Sequence, residues 1–273
     1  MKPDRVVVGA DDVRPAEILR DLYGPFVRTG SPVLLMDVRT AEMLKYAANA
    51  FLAARISFMN EVANLCERVN ANIEMIRKGL ASDSRIGPAF LFAGVGFGGS
   101  CFPKDVRALI ETAREHNYEM KILDAVDAVN KDQSSRFVEK VRQHFAGSVQ
   151  GKRFGVWGLA FKPRTNDMRD APAIRIIEGL LADGAEIAAY DPEAMEEAKK
   201  IFGDRIQLAP NNYGCLEGAD GLLLVTEWQA FRNPNFDRMK TLMRQHVVFD
   251  GRNIYDPIQL RQLGFTYYSV GRT

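Results

Sequence analysis

The segment GVGFGGSCFPKD, Gly94 to Asp105, sets one cysteine where its surroundings could make the sulfur a nucleophile. Gly96, Gly98 and Gly99 allow positive φ and close approach of the backbone to a ligand, and Pro103 suits the first position of a helix expected from about Lys104 to His116. Cys101 should therefore stand just ahead of a helix N-terminus. There the helix dipole and the ammonium of Lys104 favour thiolate, the form that attacks a carbonyl carbon. Asp105, four residues on, could orient a water. The plainer alternative is a small buried hydrophobe, the usual role of an unpaired cysteine. The neighbours argue against it: Cys101 lies between Gly-Gly-Ser and Pro-Lys-Asp, whereas Cys66 belongs to a periodic apolar run and Cys215 to a polar turn beside Gly214.

A second constellation is Lys45 and Asn49. Spaced by four residues on a helix they share a face, which could bring an ammonium and an amide to one substrate oxygen; alternatively they form an ordinary solvated surface. Three cysteines without metal-ligand spacing and three scattered histidines make a zinc site or a disulfide framework a poor fit, so no metal is expected and a reducing compartment is.

The elements that must carry these residues change character along the chain. It opens with a strand at Arg5 to Val8, a helix near Ala16 to Leu22 and an apolar run at Val33 to Met36, too little to cover both faces of a parallel sheet. No glycine-rich phosphate loop precedes it, so an upstream domain is expected to be missing. From Thr40 to Asn70 one helix of roughly 45 Å is expected, with Met43, Leu44, Ala47, Phe51, Ile56, Met59, Ala63 and Cys66 supplying its apolar contacts. Helices follow near Asn72 to Ala81 and Lys121 to Phe145. Past Gly147 the pattern alternates: RFGVWG, a helix from Ala171 to Ala182, EIAAYDP, a charged helix, GLLLVTEW and VVFDGRN, which reads as doubly wound α/β. Within it Gly155, Gly158 and Ala160 form a broken version of the G-x-G-x-x-G loop, and Asp191 ends the next strand where a ribose-binding acid would sit. That pattern leaves open a dinucleotide site, another nucleotide site or a plain strand-to-helix turn; Lys162, Arg164 and Arg169 could meet a pyrophosphate or be solvated.

The 273 residues suit about two domains with substantial cores. Thirty-six basic residues against 35 acidic argue against nucleic acid or an anionic membrane as the main partner. The start, MKPDRVVVGADD, lacks the apolar region of a signal peptide, and no apolar run reaches membrane-spanning length, so a cytoplasmic protein is expected.

Taken together, EMLKYAANAFLAARISFMNE, SRIGPAFLFAGVGFGGSCFPKD, GLAFKPRTNDMRD, ADGLLLVTEW and FDGRN resemble the UDP-glucose 6-dehydrogenase family, within the larger UDP-glucose/GDP-mannose dehydrogenase group. The resemblance spans nearly the whole chain. GFGGSCFPKD is similar to the UDP-glucose branch; GDP-mannose enzymes usually carry leucine after the cysteine.

The resemblance implies an α/β protein in three parts: residues 1–35 as the remnant of an N-terminal Rossmann domain, 36–132 as a central all-helical substrate and dimerisation domain with a very long helix, and 133–273 as a C-terminal Rossmann-like UDP-sugar-binding domain. It implies two successive oxidations of the C6 alcohol of UDP-glucose by NAD, giving UDP-glucuronate. Cys101 would form a thiohemiacetal and then a thioester, Lys45 and Asn49 would stabilise oxygen charge at C6, and Asp105 would position or deprotonate water. Phe90, Leu91, Phe92, Gly94, Phe97 and Gly98 would wrap the sugar and uridine, while Lys162 and Arg252 hold the UDP. Lys104 and Arg169 would contact NAD. Arg85 would reach across a homodimer or higher oligomer built on the long helix. The family's N-terminal domain supplies the glycine fingerprint, a threonine and glutamates, and the chain has none of them; MKPDRVVVG resembles that domain's last strand. Hence a second reading: an isolated nucleotide-sugar-binding and dimerising module without catalysis. An aldehyde dehydrogenase would account for Cys101 alone, and a hydroxyacid dehydrogenase for Lys45 and Asn49 alone.

Overall fold

The computed structural model describes residues 3–27 and 32–272. Met1 and Lys2 of the expected opening strand segment lie outside them. The chain divides into two compact units, Met1–Phe51 and Leu52–Thr273.

In the first unit, β1 (Val6–Gly9) and β2 (Val33–Met36) pair in parallel, with α1 (Val13–Tyr23) between them in sequence. The long helix α2 (Val38–Val69) starts here and continues into the second unit. Its start is fixed by Asp37, whose carboxylate accepts from the Thr40 backbone N–H at 2.9 Å and the Thr40 hydroxyl at 2.6 Å, relieving donors left open at a helix end. Gly9 is required by packing, because a Cβ there would stand 2.6 Å from the Ala41 methyl.

The second unit continues through α3 (Ile73–Ser82), α4 (Phe102–Glu115) and α5 (Lys121–His144). A six-stranded sheet follows, built from β3 (Arg153–Trp157), α6 (Pro172–Ala182), β4 (Glu186–Tyr190), α7 (Met195–Phe202), β5 (Gln207–Leu208), β6 (Gly221–Leu224), α8 (Gln229–Arg232), α9 (Phe236–Leu242), β7 (Val247–Asp250), α10 (Pro257–Gln262) and β8 (Thr266–Tyr268). The strand order is β5-β4-β3-β6-β7-β8 and every pairing is parallel, the doubly wound arrangement expected from the alternating pattern. Such a sheet is covered on both faces, and accordingly β6 and β7 read as continuous buried runs, GLLL and VVFD.

One apolar core crosses from the helices into the sheet: Met59, Ala63 and Cys66 of α2 share it with Phe137 and Val141 of α5, Phe154 of β3 and Ile176 of α6. The boundary at 132/133 falls inside α5. That helix does two jobs along its length: Asn130, Gln133 and Ser134 face the loop before α4, and Val138, one turn further, packs under Gly179 of α6. The expected apolar contacts of α2 are uneven. Met59, Ala63 and Cys66 are buried, whereas Met43 and Phe51 face solvent.

Candidate active site

Cys101 is solvent-exposed and serves as the N-cap residue of α4, with Pro103 buried in the first turn. Its carbonyl accepts the first helical bond, from the Asp105 N–H at 2.8 Å. The thiol is thus presented at the positive end of a fourteen-residue helix, with the Ser100 hydroxyl 3.6 Å from its sulfur. Cys66 and Cys215 are buried; burial pushes the Cys66 thiol up, and pushes that of Cys215 up to about 12, which leaves both protonated and unreactive at neutral pH.

The loop that delivers Cys101 is an irregular segment buried from Ala93 to Gly99, so its backbone polar groups need partners. Three elements provide them. Asn60 of α2 accepts from Gly94 N–H at 2.8 Å. On α5, Asn130 accepts from Phe97 N–H at 2.8 Å and donates to Phe97 O at 3.0 Å, Gln133 donates to Gly94 O at 2.8 Å, and Ser134 donates to Val95 O at 3.2 Å. The carboxyl edge of the sheet completes the set: Val95 N–H donates to Gly251 O at 3.1 Å, and Gly99 N–H donates to Arg169 O at 2.7 Å. Of the three glycines, Gly96 and Gly99 adopt φ of 103° and 85°. Gly98 is needed instead for proximity, since a Cβ there would strike the Asp170 carbonyl and stand 2.9 Å from its carbon.

Arg252 joins this loop to the sheet at the switch point between β3 and β6. Its Nε donates to Val225 O at 2.6 Å, its Nη1 to Gly96 O at 3.4 Å and its Nη2 to Phe161 O at 3.4 Å, with Glu227 3.2 Å from Nε. Ligands of open α/β sheets bind at this place. Arg252, Leu91 and Phe92 also line a cavity of about 520 Å³ to which Arg77, Arg232 and Arg272 contribute. The size suits a small molecule, and the arginines suit an anionic one. Arg77 stacks on the Phe92 ring at 4.6 Å while paired to Glu74 at 2.6 Å.

Beside the thiol, the buried Asp105 carboxylate pairs with the Lys104 ammonium at 2.9 Å. Arg169 is exposed and held in a fork by Asp167, through Nε and Nη2 at 2.9 Å each, and these hydrogen bonds, with the Coulombic attraction, keep the Asp167 carboxyl below its usual range and the guanidinium above its own. Lys162 is exposed with its ammonium 5.2 Å from the Phe161 ring centre. Phe90 takes φ of 59° and meets the Phe102 ring, which Phe97 also contacts edge-on. Arg85 is 87% exposed and pairs with Asp83, whereas Arg55 donates to Gly87 O at 2.8 Å, tying α2 to the start of this loop. Lys45 and Asn49 lie in the first unit, one turn apart on α2, Lys45 exposed and Asn49 half-buried. The second unit brings together Cys101, Lys104, Asp105, Arg169, Phe97, Gly98 and Arg252.

The broken glycine loop of β3 is a structural turn. Gly158 takes φ of 94° against Thr226, and a Cβ on Gly155 would stand 2.8 Å from Cys215 O. Asp191, the expected ribose acid, is fully buried and accepts from the N–H groups of Leu159, Ala160, Glu193 and Ala194 and from Trp228 Nε1, at 2.7 to 3.0 Å. The amides that would cradle a pyrophosphate are occupied by this carboxylate, so the dinucleotide alternative for this turn is set aside. The buried polar residues of α2 and α5 were missed from sequence. The spacing of Asn130, Gln133 and Ser134 on one face of an otherwise apolar helix stripe was the available signal. Among the described residues no helix is long and apolar enough to cross a membrane, and no group of three acidic, cysteine or histidine side chains is placed to hold a metal.

Residues 39–132 match the central domain of the UDP-glucose/GDP-mannose dehydrogenase family, and residues 155–257 its UDP binding domain. The chain is 47% identical to a UDP-glucose 6-dehydrogenase of Pseudomonas aeruginosa over 99% of its own length and 61% of that protein. It is 43% identical to the UDP-glucose 6-dehydrogenase TuaD of Bacillus subtilis, of which it spans 58%. A UDP-glucose dehydrogenase structure from the archaeon Pyrobaculum islandicum superposes with a TM-score of 0.88 at 36% identity, covering all of this chain and 60% of that one. The chain therefore spans about three fifths of these relatives. With two of the family's domains matched in order and an exposed thiol on a clamped glycine loop at the sheet's switch point, this chain belongs to the UDP-glucose/GDP-mannose dehydrogenase family.

Proposed function

We propose that this chain carries the nucleophile, the nucleotide-sugar site and the dimerisation helix of an NAD-dependent UDP-glucose 6-dehydrogenase, which converts the C6 alcohol of UDP-glucose to a carboxylate in two oxidations. The observation that carries the reading is the exposed Cys101 thiol at the N-terminus of α4, delivered by a loop with its backbone pinned by Asn60, Asn130, Gln133 and Ser134. Such pinning supports positional accuracy in the reacting group.

NAD, when bound, accepts the hydride of each oxidation. The cations beside Cys101, Lys104 and Arg169, fit its pyrophosphate, whereas the turn at Gly155 to Ala160 does not, its amides being taken by Asp191. At C6 the Cys101 thiolate adds to the aldehyde carbon left by the first oxidation, and the carbonyl oxygen takes up a proton to give a thiohemiacetal. Loss of hydride and of that proton leaves a thioester on Cys101. Water adds to it, the C–S bond breaks, and carboxylate and thiol are released. Lys45 and Asn49 stabilise the oxygen charge of these adducts, and Asp105, held by Lys104, directs the water. Arg252 and Lys162 hold the diphosphate, and Phe90, Leu91, Phe92, Gly94, Phe97 and Gly98 enclose uridine and sugar. The arginine-lined cavity beside Arg252 supports this placement. Arg85, exposed on the loop after α3, reaches a second protomer.

The test is Cys101→Ser in a full-length family context. A serine hydroxyl is not appreciably ionised at neutral pH, and its ester hydrolyses more slowly than a thioester. Rapid-quench measurement should give a first-turnover burst of NADH with release of glucuronate blocked; turnover at the wild-type rate removes Cys101 from the chemistry. The alternative is a nucleotide-sugar-binding and dimerising module without catalysis, for which the arginine-lined cavity beside Arg252 would suffice.

A further inference from the structure

The segment 269–272, which follows β8, is tied down from three sides. On one, the Gly271 N–H donates to the Glu67 carboxylate of α2 at 2.7 Å; the same oxygen accepts from the Lys140 ammonium of α5 at 2.7 Å, and that ammonium also donates to the Ser269 carbonyl. On another, the Ile73 N–H at the start of α3 donates to Gly271 O at 2.9 Å. Asn253, the neighbour of Arg252, supplies the third: its amide donates to Val270 O at 2.7 Å and accepts from Val270 N–H at 2.9 Å. Gly271 itself takes φ of 71°, and a Cβ there would stand 2.6 Å from the Ala63 Cβ and 2.8 Å from that of Ile73. A chain bound at three consecutive residues leaves little freedom in where the next side chain starts. That side chain is Arg272, which lines the cavity beside Arg252.

Arg272 differs from the other arginines of that cavity. The carboxylates there are engaged elsewhere: Glu74 with Arg77 at 2.6 Å, Glu227 with Arg252 at 3.2 Å, and Asp256 with the Gln259 N–H in the first turn of α10 at 2.9 Å. Arg232 is exposed on α8. Arg272 is half-buried, and its Nη2 donates at 2.8 Å to the Tyr267 hydroxyl, which in turn donates to the buried Asp250 at 2.8 Å. Its Nε is buried with no hydrogen-bond partner, and among the described residues no carboxylate lies within ion-pair distance of the guanidinium. A group with five donors and a fixed charge is costly to shelter without a counter-charge. We infer that Arg272 is a binding residue for the phosphates of the nucleotide sugar, set in place by a segment anchored on Glu67, a role that rests on reading this cavity as the nucleotide-sugar site. The anion would then meet cations from two separate elements, Arg252 after β7 and Arg272 after β8.

The experiment is calorimetric titration of this chain with UDP, repeated with inorganic pyrophosphate as a competitor. Arg272→Gln should weaken UDP about tenfold, the worth of one charge-assisted hydrogen bond, and should weaken displacement by pyrophosphate by a similar factor. Arg272→Lys should recover part of the loss, because it keeps the charge without the fork of donors. Glu67→Gln, remote from the cavity wall, should weaken UDP about threefold by loosening the segment, and that loss should vanish when Arg272 is already glutamine. Unchanged UDP affinity in Arg272→Gln, or pyrophosphate that displaces UDP equally well from wild type and variant, overturns the phosphate contact; additive losses in the double variant overturn the anchoring by Glu67. Should Glu67→Gln fail to fold, Arg272→Gln decides alone, since it leaves the backbone of the segment in place. A wild-type chain that binds no UDP sinks the nucleotide-sugar reading of the cavity together with this role, whereas full binding by Arg272→Gln sinks only the role of Arg272.

Discussion

At the scale of single residues, Gly98 shows how little latitude the thiol loop has. Its φ is ordinary, yet a methyl group there would collide with the Asp170 carbonyl and press on the Ala171 Cα at 3.0 Å. Both obstacles are backbone, so Gly98→Ala should destabilise by about 1–3 kcal/mol, read as a fall in thermal midpoint. Gly79, inside α3 with open space around its Cα, is the matched control. Gly79→Ala should stabilise by about 0.5–1 kcal/mol through helix propensity and lost chain entropy, and equal effects at the two sites would refute the packing argument. Cys101 was legible in the sequence because its setting, glycines before and Pro-Lys-Asp after, is a local signal. Asn60 and Gln133 were not, because they act on backbone groups 34 and 39 residues away.

At the scale of elements, α2 runs from the first compact unit into the second, and α5 runs across the expected boundary at 132/133. The exposed residues of α2 include Phe51, Phe58 and Leu65, at a spacing of seven, with 66%, 56% and 57% of their surface open. Residues seven apart lie on nearly one face, so they form a stripe along the helix, and a stripe of that width fits a partner helix. A second copy of the chain is the partner proposed. Phe58→Glu should convert the dimer to monomer in sedimentation at micromolar concentration, without loss of helical signal, because the side chain is already in solvent. A wild-type monomer would overturn the proposed self-association. Helix α5 carries no such stripe: its buried positions alternate between polar ones that serve the loop, Asn130, Gln133 and Ser134, and apolar ones that serve the core, Phe137, Val138 and Val141.

For the molecule as a whole, the first unit offers a two-stranded parallel sheet whose Leu34 and Leu35 are exposed, alongside Ile18 and Leu22 of α1 at 59% and 60%. Parallel sheets are ordinarily covered on both faces. An exposed apolar surface of this kind fits a packing partner. The chain by itself should then bind UDP-glucose in calorimetry, through the Phe90 loop, Lys162 and Arg252, and give no NADH in a spectrophotometric assay on the same sample. Hydride transfer needs the nicotinamide held at C6, and Lys104 and Arg169 contact only its pyrophosphate in the proposed arrangement. Robust turnover would mean that the described residues hold the whole cofactor, and would return attention to the turn at Gly155.

What the amino-acid sequence determined by itself was local or periodic: the long helix from its apolar spacing, the doubly wound order of strands and helices from the change of period after Gly147, and the thiol at a helix start from glycine, proline and cysteine in one short run. These depend on neighbours within a few residues. Tertiary structure decided the rest. The glycine turn of β3 resembled a phosphate loop, and only the fold reveals Asp191 occupying its amides from 31 and 32 residues away. The sequence contains Arg169 and Cys101 as separate polar residues, but it is the crossing of two loops at the sheet's switch point that sets the Gly99 amide, two residues before Cys101, on the Arg169 carbonyl. A hydrogen bond reaches about 3 Å whatever the distance along the chain, so its partner is settled only when the backbone has closed.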